Sequence, residues 1–254
     1  MDGSIEADID AVAAVAAVAE ASPVVVQFGR TVAADLRRLA RLHDREPTAD
    51  LLEELREQPL QDLFGLTLDR PDAHQALALI TEVVSDLPRP IDTASLDELA
   101  ADFASIYLTN AYRACPMESV WVHDEPLRRQ EAMFRVKAWH RRFGLVTEDP
   151  RDADHLVLEL HFLADLMERS TPTEVAAFLD QHLLRWVPSF CGRVAARCRT
   201  PYFAGLALLT GAYLDQLRDL LEQAFEVPRA SDERRSAERK GAACRKPDHA
   251  DSLG

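Results

Sequence analysis

Apolar residues spaced three and four apart recur along almost the whole chain, interrupted mainly by proline and by helix-capping residues. This period places apolar side chains on one face of a helix, whereas the alternation typical of β-strands is nearly absent. Val24, Val25 and Val26 would suit a strand, but three residues are too few to change the interpretation. The pattern predicts an all-α protein.

Capping residues and prolines divide the chain into predicted helices. The first expected bounds are Val24–Leu42, Ala49–Gln58 capped by Thr48, Asp72–Leu87 before Pro88 and Pro90, and a Ser95–Glu98 capping box opening a helix to about Tyr112. The remaining ones are Glu125–Phe143 before a left-handed Gly144, Asp154–Met167, Thr173–Trp186 after Thr171 and Pro172, and two last helices begun by Pro188 and Pro201, the second ending near Phe225. A chain of 254 residues with 47% apolar content can bury such helices in one compact domain.

The two ends of the chain differ in composition from its middle. Residues 1–23 combine acidic residues with an Ala/Val run, Ala11–Ala19, and contain no Lys or Arg. A secretory signal needs a positive start, and nine small residues are too few to span a bilayer, so we expect an N-terminal extension that is either an extra helix or loosely ordered. Residues 228–254 are charged, with Leu253 as the one large aliphatic residue, which favours a disordered tail. The predicted helical domain is residues 24–227.

The charge and the cysteine spacing exclude several classes of function. The formal charge is −14, from 29 basic and 43 acidic residues, which argues against nucleic acid and anionic membrane surfaces as partners. No glycine-rich phosphate loop or HExxH motif occurs. The cysteines lack the paired spacing of zinc or iron–sulfur sites; they are Cys115, Cys191, Cys198 and Cys244. We expect no metal or cofactor and no membrane insertion, with reduced thiols in the cytoplasm.

Two segments carry the candidate site. The first is Cys115-Pro116-Met117-Glu118-Ser119-Val120-Trp121, which is predicted to be a loop because proline interrupts a helix. The second, from Asp154 to Leu163, starts a helix with Asp152 or Asp154 as its expected N-cap. Its apolar residues at helical spacing are Leu156, Leu160, Leu163 and Met167. His155 and Glu159 stand four apart and therefore share one face of this helix.

These two segments, at this separation, resemble the loop and helix of the TorD/DmsD/NarJ-type chaperones that mature redox enzymes. The similarity covers about residues 95–222. It includes the turn Phe143-Gly144-Leu145 and a C-terminal helix pair containing Phe178, His182, Trp186, Pro201 and Tyr202. The chain departs from the family pattern at Met117 and in the stretch Arg151-Asp152-Ala153. The resemblance implies a single compact multi-helix domain of the TorD-like type.

What the resemblance implies about function is a non-enzymatic, cytoplasmic chaperone. Such proteins bind the N-terminal twin-arginine signal peptide of a molybdenum-enzyme catalytic subunit and hold the apoenzyme until its molybdopterin cofactor is inserted. The candidate client-binding residues are Glu118, Ser119, Trp121, Asp154, His155 and Glu159. Carboxylates suit arginines, and an apolar wall of Trp121, Leu156 and Leu160 would suit the hydrophobic stretch of the peptide. No catalytic residue is assigned.

Two other functions stay open on the sequence. One is a helical scaffold that serves a non-exported enzyme, as in the NarJ-like branch. The other is a small-molecule enzyme that uses the face of Asp154, His155 and Glu159, although no nucleophile is identifiable. His161 points about 200° away from Glu159 on a helix, so a metal site there would need distortion. The sequence also leaves open whether the protein is a monomer or a dimer.

Overall fold

The computed structural model describes residues 22–123, 125–145 and 149–229. These residues contain helices, one isolated β-bridge and no β-strand, which confirms the all-α prediction. The helices are α1 (Pro23–Asp44), α2 (Ala49–Glu57), α3 (Leu60–Leu63), α4 (Pro71–Asp86), α5 (Thr93–Phe103), α6 (Ser119–Val122), α7 (Glu131–Arg142), α8 (Leu156–Arg169), α9 (Pro172–Phe178), α10 (Leu184–Arg197) and α11 (Pro201–Phe225). Two π-helical turns, Ala104–Leu108 and Leu179–Leu183, directly follow α5 and α9.

Helices α8 and α11 run through the interior, where α1 packs along α8 while α4 and α10 pack against α11. Helices α1 and α8 are antiparallel, because Asp44 at the end of α1 pairs with Arg151 just before α8 at 2.6 Å. Burial was predicted along Leu156, Leu160, Leu163 and Met167, and it is confirmed for the three leucines, none of which is exposed, whereas Met167 is half-buried. No helix of the described residues is both long and apolar enough to cross a membrane.

Several helix ends lie where capping chemistry places them. The Thr48 hydroxyl accepts a hydrogen bond from the Leu51 N–H at 3.3 Å. Thr171 and Glu174 form a reciprocal capping box at the start of α9. Gly144 follows α7 with a φ of 66°, the left-handed conformation predicted for it. These ends are encoded locally, so the sequence was sufficient to predict them.

The predicted bounds of α5 are wrong at both ends. Asp92 caps this helix by accepting from the Ser95 N–H at 2.9 Å, so the helix starts before the proposed Ser95–Glu98 box. Its regular turns end at Phe103, and a π-helical turn replaces the predicted continuation to Tyr112. Such turns are frequent at functional sites and have no simple sequence signature.

Further boundaries differ from the prediction, and the helix predicted over Thr173–Trp186 is divided into α9, a π-helical turn and the start of α10. Helix α7 begins at Glu131 rather than Glu125, because the Gln130 side-chain amide donates to the carbonyls of Glu125 and Leu127 and holds these residues as a loop. Pro188 does not begin a helix but lies inside α10. It is the fifth residue of that helix, so the hydrogen bond that it cannot donate is the one to the Leu184 carbonyl in the first turn.

Gly29 marks the closest approach of α1 to α8. A Cβ atom built on this residue would collide with the carbonyl oxygen of Met167. Alanine in a helix interior is normally about 0.5–1 kcal/mol better than glycine. At this position we expect Gly29→Ala to lower the free energy of unfolding by about 1–3 kcal/mol through overpacking. Denaturant titration checks this against Gly192→Ala, where the new Cβ meets nothing within 4 Å; equal effects would contradict the close contact.

The predicted extension and tail fall mostly outside the described residues, which start at Ser22 and end at Arg229. The last described residues are attached to α11, because fully buried Arg218 donates to the carbonyls of Val227 and Pro228 at 2.8 and 2.6 Å. Deleting residues 230–254 is therefore expected to leave thermal stability and client binding nearly unchanged. A chain ending at Glu226 is expected to lose about 1–3 kcal/mol, because Arg218 loses two acceptors. Thermal melts of the two truncated chains compare these results, and equal melting temperatures would contradict the distinction.

Candidate functional site

The loop that ends in α6 lies across the start of α8, so the structure brings the two predicted segments together. The Glu118 N–H donates to the Asp154 carbonyl at 3.0 Å, and the Leu156 N–H donates to the Pro116 carbonyl at 2.9 Å. Met117 and His155 form the isolated antiparallel bridge between them. Backbone hydrogen bonds therefore fix the loop on the helix start before any side chain contributes.

Asp154 joins the two segments through its side chain and does not cap α8. Its Oδ2 atom accepts from the Ser119 N–H at 2.9 Å and from the Ser119 hydroxyl at 2.5 Å. His155 is the N-cap instead, since its Nδ1 atom accepts from the Val157 N–H at 3.2 Å. The prediction of Asp152 or Asp154 as the cap is therefore wrong, because the Asp154 carboxylate is already engaged by the loop.

Glu118 points into the protein and is fully buried. Its Oε2 atom lies 2.7 Å from Nδ1 of His182, and its Oε1 atom lies 3.7 Å from a guanidinium nitrogen of Arg185. His182 belongs to the π-helical turn before α10 and was not predicted as a site residue. The sequence feature that could have identified His182 is its spacing of four residues from Trp186. This spacing puts two polar ring systems on one otherwise apolar helix face.

Glu159 completes the buried group. Its Oε2 atom accepts from the Trp186 ring N–H at 3.2 Å. Burial, and then the nearby carboxylates of Glu118 and Asp154, raise the pKa of Glu159 well above its ordinary value and favour the protonated acid. Each of these three side chains has one buried oxygen without a hydrogen-bond partner: Glu118 Oε1, Asp154 Oδ1 and Glu159 Oε1. We call Glu118, Asp154 and Glu159 the acidic cluster.

Trp121 is the predicted site residue that reaches the surface, and it is half-buried. Its ring N–H donates to the Cys115 carbonyl at 2.7 Å, and the Arg193 guanidinium lies 5.2 Å from the ring centroid. Leu156 and Leu160 do not form the predicted apolar wall beside it, because both are fully buried in the core. The accessible apolar surface is therefore Trp121 with its half-buried neighbours Val120 and Val122.

Behind His155, a second buried histidine packs against α11. His43 lies 2.5 Å from the Tyr107 hydroxyl and 2.8 Å from the Thr210 hydroxyl. Burial lowers the pKa of His43 to about 3 and that of His155 to about 4, so both rings are neutral near pH 7. Among the described residues, no group of three or more His, Cys, Asp or Glu side chains is arranged to hold a metal ion.

The described residues form an all-helical protein in which one loop is fixed across a helix start above a buried acidic cluster. A family model described as nitrate reductase delta subunit matches residues 68–192. The chaperone protein TorD of Vibrio vulnificus is 31% identical over 169 residues, covering 54% of this chain and 79% of that protein. The chaperone protein TorD of Shewanella oneidensis is 28% identical over 193 residues, covering 73% of this chain and 88% of that protein.

The chain belongs to the TorD/NarJ family of redox enzyme maturation chaperones. The predicted resemblance is therefore confirmed. The prediction that the protein is not an enzyme is also confirmed, because its relatives are named as chaperones.

Proposed function

We propose that this protein is a chaperone for a molybdenum-containing oxidoreductase and binds the twin-arginine signal peptide at the N-terminus of the catalytic subunit. It holds the apoenzyme in the cytoplasm until the molybdopterin cofactor is inserted. The six candidate residues, Glu118, Ser119, Trp121, Asp154, His155 and Glu159, act together in this binding. The relatives support the chaperone role, and the acidic cluster supports the choice of an arginine-bearing peptide.

The observation that carries this proposal is the group of buried carboxyl oxygens without hydrogen-bond partners beneath the loop. Three buried acidic side chains lie together, and each has an oxygen without a hydrogen-bond partner, although that of Glu118 lies 3.7 Å from the Arg185 guanidinium. Leaving a buried acceptor unsatisfied costs about 1–3 kcal/mol, so this arrangement is poor for stability alone. Costly polar groups of this kind concentrate at functional sites. A positively charged ligand bound close by offsets part of this cost through its electrostatic interaction with the carboxylates.

Because the cluster is buried, the peptide makes its direct contacts on the surface of Trp121, Val120 and Val122. Its leucines cover this apolar surface, and its guanidinium groups experience the negative field of the carboxylates behind it. A charge at about 8 Å contributes about 2 kcal/mol at an effective dielectric constant of about 20. Ser119 and His155 hold the loop and helix start in place. Arg185 and Arg193 already direct guanidinium groups toward Glu118 and Trp121, so this face accommodates them.

The proposal predicts a proton-linked interaction. A bound guanidinium stabilises the ionised form of Glu159 and lowers its raised pKa, so peptide binding releases a proton. Affinity should therefore increase with pH between the pKa values of Glu159 in the bound and free protein, and should level off above that window. Glu159→Gln should keep the hydrogen bond from Trp186, lose this pH dependence and be about 0.5–2 kcal/mol more stable above the window.

Calorimetry from pH 5 to pH 9 tests this with a synthetic peptide that carries adjacent arginines before a leucine-rich stretch. Arg185→Gln is a control that should change the affinity in the opposite direction. It removes a guanidinium 3.7 Å from Glu118 and should therefore tighten peptide binding several-fold. A lysine version of the peptide should bind more weakly at the same charge, since arginine's planar fork suits carboxylates. Equal affinity for arginine, lysine and neutral peptides would refute signal-peptide recognition at this site. Strong binding of an N-terminal segment without arginines would favour a non-exported client.

A further inference from the structure

A groove separates α7 from α9 and the π-helical turn after it, on a part of the surface that the proposed peptide site does not use. Two adjoining cavities of about 480 Å³ each form this groove. Both are lined by Ala138, Trp139 and Gln181. Thr173, Glu174 and Ala177 line one end, and Asp180, His182 and Arg185 line the other.

The exposed charges of the groove are arginines. The side chains of Arg135, Arg142 and Arg185 are 44%, 40% and 39% exposed. The acidic side chains that line the groove are covered, because Glu174 is 16% exposed and paired with Arg142, and Asp180 is 15% exposed and paired with Arg218. Glu131, which lies 3.8 Å from Arg135, is 72% exposed but does not line the groove. On a chain with a net charge of −14, such a surface attracts an acidic segment.

The wall formed by α7 also offers apolar surface. Phe134 is 58% exposed, which is unusual for a phenylalanine in a folded domain. It stands four residues before Ala138, so the two side chains share one helix face, and half-buried Trp139 lies beside them. Basic side chains next to an apolar strip of this kind suit an amphipathic, acidic helix.

The N-terminal segment of this chain has that chemistry. Residues 1–21 contain five acidic residues and no Lys or Arg. Within them Ile5, Ile9, Val12 and Ala16 are spaced by four, three and four residues, the period that collects apolar side chains on one helix face. The opposite end of the chain fits less well, because residues 230–254 carry six Lys or Arg residues and five acidic ones.

The segment is joined to the start of α1, and α1 lies against the end of α8. Gly29 of α1 lies against Met167 of α8, and α8 leads through Thr171 directly into α9, which lines the groove. A helix of residues 4–19 would be about 24 Å long, at about 1.5 Å per residue. The residues that join it to α1 would add up to about 3.3 Å each when extended. Together the helix and its three joining residues extend up to about 34 Å from the start of α1.

We propose that residues 4–19 dock in this groove as an amphipathic helix. Ile5, Ile9 and Val12 cover the Phe134–Ala138–Trp139 strip, and the acidic residues lie beside Arg135 and Arg185. This proposal does not depend on the signal-peptide function. Docking of the helix would nevertheless affect the proposed peptide site, because His182 and Arg185 line the groove and also contact Glu118.

Photo-crosslinking in the full-length protein tests this proposal. A benzoyl-phenylalanine in place of Ile9 should form adducts on α7 and α9. When light and heavy isotope-labelled proteins are mixed, these adducts should join residues of the same chain. Arg135→Glu should reduce the crosslink yield several-fold, whereas Arg141→Glu should not, because Arg141 is exposed on the same helix outside the groove. The same crosslinker in place of Leu253 should give no groove adducts. Adducts of residue 9 spread over other surfaces, on Trp121, or only between chains would overturn the proposal.

Discussion

Replacing Leu160 by alanine should lower the free energy of unfolding by about 2–5 kcal/mol. Leu160 has no exposed surface and lies in the middle of α8, which packs against α1. Removing its branched end costs the transfer free energy of the lost carbons and leaves a cavity that close-packed helices fill poorly. Denaturant titration followed by far-ultraviolet circular dichroism measures this change.

Leu208→Ala is the matched control, because Leu208 lies on α11 with 38% of its surface exposed. The same chemical change there should cost well under half as much, since water already reaches the side chain. A Leu160→Ala variant as stable as Leu208→Ala would show that α8 is not the central packed helix.

The fold was predictable from sequence because helix period and caps are local signals. Thr48, Thr171 and Gly144 each act within four residues of their own position, so their roles could be predicted without knowing the tertiary structure. The π-helical turns and the loop before α7 depend instead on tertiary contacts or on single side chains such as Gln130. Such interactions leave no periodic pattern to recognise.

The site was predictable in part, for a different physical reason. The family motif showed that the loop and the start of α8 belong together, and the backbone bonds of Glu118 and Leu156 place them in contact. Burial of three acidic side chains was not predictable, because Asp and Glu are mostly exposed unless a specific partner covers them. For Glu118 one such partner is His182, which lies 64 residues away in the chain.

Removing the charge of Asp154 while keeping its shape is expected to weaken binding of the arginine-bearing signal peptide by about ten- to a hundredfold. The buried carboxylate of Asp154 acts on the bound guanidinium through its field, where a charge at about 8 Å contributes about 2 kcal/mol at an effective dielectric constant of about 20, and each 1.4 kcal/mol is tenfold in affinity. Asp154→Asn achieves this, since the asparagine oxygen can still accept from Ser119. The substitution also leaves the helix cap intact, because His155 supplies the cap. Calorimetry on the folded variant measures the loss.

The same experiment distinguishes a contribution of His155 to peptide binding from its function as the helix cap. His155→Ala removes the acceptor of the Val157 N–H, so it should cost about 1 kcal/mol of stability whatever the site does. His155→Asn keeps an acceptor at the N-cap and isolates the contribution of the ring to peptide binding. If Asp154→Asn and His155→Asn both bind the peptide as tightly as the unmodified protein, these residues serve only to join the loop to α8. If Asp154→Asn weakens binding while Arg185→Gln strengthens it, the opposite signs identify the charge of the acidic cluster, rather than damage to the fold, as the cause.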